Sequence, residues 1–325
     1  MKTNQLTPAR WIGGGLLLVI FVLLAILPQI NHGYTVTLLT DILRYAILTV
    51  AWMIFSGPTN YMSLATAAFY GVGFYIAAVA NGPVPFAVAI IISGVASFVI
   101  ALLVGALTLR LRGVYFCIFT FALTLLVQNV VAEVERLVTQ TRGRFVVAET
   151  TEVAYYAMFI VAIFTLAMAI MIRRSRYGLA LQGIGEYEEA AAHSGINVVR
   201  TKVLVFAASA IPMGMAGAII ATQRTYIDPG IAFSLQSSFL PVLMALFGGM
   251  ANLVGPVIGA AVFTYIGEVL LTKFPDLYML IFGAVLILAI VFMPNGIVGL
   301  AQTVWNRIRG NRRAAVEEGG RGAPA

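Results

Sequence analysis

The sequence predicts an all-α polytopic membrane protein with about ten transmembrane helices, and three observations lead there. Hydrophobic residues fill 61% of the 325 positions and charged residues only 10%, whereas soluble domains carry about 25% charged residues. Long apolar runs recur, on the scale of the roughly 20 residues that a lipid-spanning helix needs. Basic residues fall in the short connectors between those runs, the placement that orients helices in a bilayer. A chain with so few charges would not cover a water-facing surface, so membrane lipid is its expected surrounding. The net charge of +7 and the pI of about 9.7 do not point to nucleic acid, because a nucleic-acid face gathers its basic residues on one soluble surface.

Taken in order, the expected spans are 11–30, 36–56, 61–80, 85–109, 114–131, 155–172, 202–222, 236–252, 254–271 and 277–296. The first follows Lys2 and Arg10 as a secretory signal would. Its apolar part exceeds the usual signal core, however, and Leu27-Pro28-Gln29-Ile30 offers no small-residue cleavage site, so it reads as an uncleaved span. Asp41 and Arg44 stand three apart near the outer end of the second span. They are placed to neutralise each other, since a mid-membrane charge costs about 2.5–3.5 kcal/mol on insertion scales. The third, eighth and ninth spans are short or interrupted by Gly and Pro. They are expected to be broken or re-entrant, which the membrane tolerates only where protein or a cavity covers the backbone.

Two polar stripes stand out. Ser63, Thr66 and Tyr70 share a face of span three, and Cys117, Thr120, Thr124 and Gln128 follow one another at i, i+3, i+7 and i+11 on span five. Each stripe has two readings: the wall of a translocation path, or hydroxyls bonding neighbouring helices and their own i−4 carbonyls. Cys117 is the only cysteine, which excludes an intrachain disulfide and a thiolate metal site and leaves a packing residue. Glu268, near the outer end of span nine, is expected to face water or a partner, and His32 to be a solvated loop residue.

With the N-terminus inside, the inner pieces hold Lys2, Arg10, Arg110, Arg112, Arg173, Arg174, Arg176, Arg200, Lys202, Arg307, Arg309, Arg312, Arg313 and Arg321, 14 in all. The outer pieces hold Arg136, Arg142, Arg144, Arg224 and Lys273, 5 in all. That bias predicts cytoplasmic termini: a short N-terminus over 1–10, a membrane domain over 11–300, and an Arg-, Gly- and Ala-rich disordered tail over 301–325. Ten spans divide into two groups of five, which would make the second half run inverted. Gly82-Pro83 and Gly255-Pro256, each beside a Gly-rich segment, suit such a repeat around a central pathway, although Gly-Pro turns are common in any membrane protein. Two connectors are long: an outer one over 132–154 of mixed charge, and an inner one over 173–201.

The inner connector carries the functional reading. Glu186 to Ser194 are good helix formers and Gly195 suits the position just past a helix end. The pattern predicts one short helix presented to the cytoplasm, with small alanine faces that let another surface come close. Glu189-Ala190-Ala191, then three residues, then Gly195, resembles the cytoplasmic coupling loop of ABC importer permeases. Several stretches resemble the branched-chain amino acid (LivM-type) permease family, in family order over roughly 40–300. They are Gly195-Ile-Asn197 leading to Met213-Gly-Met-Ala-Gly-Ala218, Arg110-Leu-Arg-Gly-Val-Tyr-Phe116, Phe247-Gly-Gly-Met-Ala-Asn-Leu-Val-Gly-Pro-Val-Ile-Gly259 and Met293-Pro-Asn-Gly-Ile-Val-Gly-Leu300. The chain departs from that family at Ala65 and Thr66, where Gly and His are usual, and lacks the I-x-L-P spacing of the wider coupling motif.

The resemblance implies a permease subunit that carries a small amino-acid-like solute across a bacterial inner membrane. It implies a second permease subunit (LivH-type), two cytoplasmic ATPases and a periplasmic solute-binding protein as partners. Glu186, Glu188, Glu189, Ala190, Ala191, His193 and Gly195 are the residues expected to meet the ATPase. Arg142, Arg144, Glu149, Glu152 and Asp228 either dock the binding protein through complementary charge or form a solvated loop. No Gly-x-x-x-x-Gly-Lys-Ser/Thr occurs, so ATP and Mg are expected on partner subunits, with no cofactor, metal or catalytic residue in this chain. An ion-coupled carrier is the alternative, but its candidate ionisable residues, Asp41, Arg44 and Glu268, lie near span ends. An intramembrane enzyme would need clustered carboxylates or His with a metal, and only Glu186, Glu188 and Glu189 group together. Relatives carry branched-chain amino acids, urea, amides or aromatic acids, and the sequence leaves that choice open.

Overall fold

The computed structural model describes residues 33–140, 143–250 and 252–278, with 28, 280–284, 287 and 296 beyond these. The expected first span, most of the tenth, the 301–325 tail, His32 and Arg142 lie outside the described residues. In chain order the elements are α1 (Tyr34–Thr59), α2 (Thr66–Ala80), α3 (Phe86–Thr108), α4 (Val114–Thr139), β1 (Arg144–Phe145), α5 (Thr151–Arg174), α6 (Arg176–Glu186) and α7 (Glu188–His193). They continue with α8 (Val198–Ala221), β2 (Tyr226–Ile227), α9 (Pro229–Ala232), α10 (Gln236–Gly248) and α11 (Val254–Lys273). Among the described residues seven stretches are long and apolar enough to cross a membrane: α1, α3, α4, α5, α8, α9 with α10, and α11. The chain is an all-α integral membrane protein.

α8 is the hub, packed against α2 and α3. Lipid tails are as apolar as leucine, so helices in a bilayer associate through close backbone approach rather than apolar burial alone. Gly214 and Gly217 of α8 supply that approach: a Cβ on Gly214 would strike Ser97 of α3, and one on Gly217 would strike the Tyr70 carbonyl of α2. Phe206 of α8 then meets Phe55, Phe69 and Phe116 edge-on, with ring centroids 5.1–6.1 Å apart.

The ninth span, expected to be broken or re-entrant, is the single continuous helix α11 over Val254–Lys273, and two connectors differ from the sequence expectation as well. α4 runs on to Thr139 and α5 begins at Thr151, so the outer connector is 140–150 rather than 132–154. Charges begin at Glu133, but charge marks only where a helix leaves lipid. Gln140, with φ 56°, is what ends α4. The inner connector holds two helices rather than one over 186–194. Tyr187, with φ −155° and ψ 101°, breaks the run, leaving Glu186 as the last residue of α6.

The connectors sort into two ends. At one, β1 pairs antiparallel with β2 (Arg144 with Ile227, Phe145 with Tyr226). Asn81, after α2, exchanges hydrogen bonds of 3.0 and 3.1 Å with the Val147 backbone. At the other end lie α7, the α3–α4 turn and the last residues of α1. Arg112 approaches Glu189 to 3.6 Å, and Asn60 donates to the Gly185 carbonyl at 3.2 Å.

Candidate functional site

The α7 end is built around an ion pair between partly buried Glu188 and buried Lys202. Ser175 caps α6, its hydroxyl accepting from the Tyr177 N–H at 3.2 Å. After the break at Tyr187, α7 closes with paired end bonds: the Gly195 N–H donates to Ala192 and the Ile196 N–H to Ala191. That pattern needs a left-handed residue, and Gly195 sits at φ 84°. Asn197 then caps α8 by accepting from the Arg200 N–H at 3.0 Å. The expected role of Gly195 as a helix stop is therefore met.

Glu188 points inward. It takes hydrogen bonds from Tyr61 Oη at 2.6 Å and Lys202 Nζ at 3.1 Å, with Arg112 Nε 3.7 Å away. Lys202 is 1% exposed, and its ammonium also lies 4.5 Å from the centre of the Tyr61 ring. Burial pushes the Glu188 carboxyl up, but the Tyr61 and Lys202 hydrogen bonds and the Lys202 and Arg112 charges outweigh it and hold the group below its ordinary value. Glu188 thus ties α7 to α8, to the non-helical approach to α2 and to the α3–α4 turn. Glu189, Ala190 and His193 remain exposed on the outer side of α7, Glu186 is exposed at the end of α6, and Ala191 is buried.

The expected break before α2 is present. α2 has 15 residues, about 22 Å at 1.5 Å per residue, and residues 60–65 enter it without helix. Backbone groups there find side-chain partners, as they must away from water. The Leu64 N–H donates to Thr120 Oγ1 at 3.0 Å, and the Leu64 carbonyl accepts from Ser238 at 2.8 Å and Thr124 at 3.2 Å. Trp52 Nε1 donates to the Ser63 carbonyl at 2.7 Å, and the Ala67 N–H donates to Ser238 at 3.1 Å. Thr120 and Thr124, both 0% exposed, serve this backbone. Gln128, half-buried, lies farther along α4 near Gly230. Ser63 and Thr66 line a small chamber with Ser56, Ser209 and Phe206, in which the Ser56 and Thr66 hydroxyls have no partner.

Tyr70 leaves that chamber and reaches Arg44. Arg44 Nη2 pairs with Asp41 Oδ1 at 2.9 Å, its guanidinium carbon lies 4.4 Å from the Tyr45 ring centre, and Tyr70 interacts with it from α2. On the β1–β2 end, buried Glu135 accepts from Tyr75 Oη at 3.0 Å, the Gly143 N–H at 3.0 Å and Arg144 Nε at 3.2 Å. Asp228 caps α9 through the Gly230 and Ile231 N–H groups. Arg144 and Asp228 are therefore engaged within the chain rather than held free on a loop. Sequence reasoning missed Tyr61, Glu135, Lys202 and Ser238. Only Lys202 carried a signal, as a cation at the start of an otherwise apolar span. Among the described residues no group of three or more His, Cys, Asp or Glu side chains is placed to hold a metal ion.

Comparison with known proteins follows the same lines. The chain is similar to the L-arabinose ABC transporter permease protein AraH of Azospirillum brasilense, 27% identical over 38% of this chain and 38% of that protein. It is similar to the high-affinity branched-chain amino acid transport system permease protein LivM of Salmonella typhimurium, 26% identical over 46% of this chain and 34% of that one. The ribose import permease protein RbsC of Escherichia coli is 30% identical over 42% of this chain and 44% of its own length. The matches thus span less than half of each relative. No solved structure matches the chain. Residues 34–290 match the family described as branched-chain amino acid transport system / permease component, and the chain belongs to that family.

Proposed function

We propose that this chain is the membrane-spanning permease subunit of an ATP-driven importer for a small amino-acid-like solute, a branched-chain amino acid or a related compound. In this reading it works with a second, LivH-type permease, a periplasmic solute-binding protein and two cytoplasmic ATPases that bind ATP and Mg. It lies in a bacterial inner membrane with α7 and both termini in the cytoplasm.

The observation that supports the reading best is the mounting of α7. A free loop could not transmit force, but α7 is joined to α6 on one side and capped into α8 on the other, and Glu188 locks it to Lys202 and Tyr61. Its outer side offers Glu189, Ala190 and His193 to another protein. Closure of an ATPase dimer against that side would move α7, and with it α8 and the approach to α2, switching access between the two membrane faces. Glu188 and Ala191 act as the internal anchor of this lever, and Glu189, Ala190 and His193 as its contact.

Glu189→Lys reverses the charge of the contact while removing two exposed interactions, a 3.6 Å ion pair with Arg112, worth about 0–1 kcal/mol, and a 3.4 Å hydrogen bond from Tyr187 Oη. Gly195→Val forces a β-branched residue to φ 84° and disturbs the end of α7. Both variants, expressed with the partner subunits, are expected to lose uptake, and Glu189→Lys to lose co-purifying ATPase. Normal uptake with an intact complex would overturn the assignment.

A further inference from the structure

α1 carries a charge pair in its first half. Asp41 and Arg44 follow Tyr34, the first residue of this 26-residue helix, by seven and ten positions. At 1.5 Å per residue they lie about 10 and 15 Å along a rod about 39 Å long. A hydrocarbon core is about 30 Å thick, so a centred helix projects only about 4–5 Å at each end and both charges fall within the core.

It is not sealed, because the Asp41 side chain is 37% exposed and that of Arg44 16%. Charges exposed at such depth face a water-filled path or protein, not lipid tails. Arg44 is also under-used. A guanidinium offers five N–H donors in a planar fork that suits two parallel bonds to a carboxylate. Here the fork holds one Asp41 oxygen at 2.9 Å, Nε is buried without an acceptor, and Tyr45 and Tyr70 flank the guanidinium.

We propose that Asp41 and Arg44, flanked by Tyr45 and Tyr70, form a membrane-depth solute site for a zwitterionic α-amino acid, whose carboxylate takes the Arg44 fork and whose ammonium takes Asp41. The proposal rests on the permease reading above. Two opposite charges a few ångströms apart complement a zwitterion, which carries the same pair in reverse. A neutral sugar would desolvate both charges and return only hydroxyl contacts.

The test measures thermal unfolding of the purified full-length chain in lipid nanodiscs with four probes: leucine, leucinamide (no carboxylate), 4-methylpentanoate (no ammonium) and ribose. A ligand that binds only the folded protein raises its unfolding midpoint. Leucine is expected to raise it and the other three to raise it far less. Arg44→Gln and Asp41→Asn are expected to lose the leucine shift, and Arg44→Lys, which keeps the charge without the fork, to retain part of it. An undiminished leucine shift in Arg44→Gln, a shift with ribose but not leucine, or no leucine shift in the parent protein would each overturn the proposal. If Arg44→Gln does not fold, the four-probe series on the parent protein decides alone. No ATPase enters this measurement, so its failure is distinct from a failure of α7 to recruit one.

Discussion

Lys202 is the most constrained charge at the α7 end, 1% exposed, with Glu188 Oε1 3.1 Å from its ammonium. Removing one partner of a buried pair leaves the other charge uncompensated, which costs about 3–5 kcal/mol, whereas replacing both with apolar groups is often neutral. Because Glu188 is 20% exposed, Glu188→Gln is expected to cost less than that, about 1–3 kcal/mol, and adding Lys202→Met to restore much of the loss. Unfolding of the two single variants and the double variant measures this as a coupling energy, and additive losses would show that the pair is not the anchor. The pH sign follows from the Glu188 carboxyl, held below its ordinary value by Tyr61, Lys202 and Arg112. Its stabilisation is complete above the unfolded value of about 4.3 and is lost as pH falls through the folded one. The parent protein should thus lose stability in that acid range more steeply than Glu188→Gln. Residue types alone disclosed half of this cluster. Glu188 stood out within the inner connector, but Lys202 read as one more inner-loop cation and Tyr61 as the start of a span, because no local pattern joins positions 61, 188 and 202.

At the scale of elements, the break before α2 was legible and its support was not. The run Pro58 to Thr66 advertises an interruption through Pro58 and polar residues, and the helix does stop at Thr59 and resume at Thr66. The Thr120–Thr124 stripe was visible too, with two readings open, and the partner that decides its contacts, Leu64, carries no polar side chain. Ser238 lies more than 170 positions away, beyond the reach of any periodicity. These bonds differ in how replaceable they are. The Leu64 carbonyl has two donors, so Thr124→Val leaves Ser238 in place and is expected to cost less than about 1 kcal/mol. The Leu64 N–H has only Thr120, and Ser238 also accepts from the Ala67 N–H. Thr120→Val and Ser238→Ala each orphan a buried donor and are expected to cost about 1–3 kcal/mol. Thermal unfolding of the three variants in one detergent ranks them, and equal losses would deny the non-helical stretch this support. The boundaries of α4 and of α6–α7 were misjudged for a related reason. Charged residues at 133–136 and helix formers at 186–194 say what a segment prefers, while the chain turns at Gln140, left-handed at φ 56°, and at Tyr187, extended at φ −155° and ψ 101°.

For the whole molecule, the structure converts a statistical orientation into a mechanical one. The α7 end gathers Arg110, Arg112, Arg173, Arg174, Arg176 and Arg200, and the opposite end Arg136, Arg144, Arg224 and Lys273. Lys202 leaves the first set because it is buried and paired. The surviving excess still favours α7 in the cytoplasm, since the bias depends on Lys and Arg near span ends. More decisive is that each end is cross-tied, by Arg112 to Glu188 and Glu189 on one side and by Asn81 to Val147 on the other. Sidedness found for one connector therefore holds for its neighbours. Cys117, half-buried in α4, is the only native thiol, so a Cys117→Ala background leaves single introduced cysteines as sole targets. Arg110→Cys sits in the exposed α3–α4 turn, and Phe145→Cys in β1 where the side chain is 84% exposed. A membrane-impermeant maleimide is expected to label Phe145→Cys on intact cells and Arg110→Cys only after the membrane is opened. The reverse result would put α7 on the side without ATP, where no nucleotide-driven partner could press on Glu189 and His193, and the lever mechanism would fail however well its parts are packed.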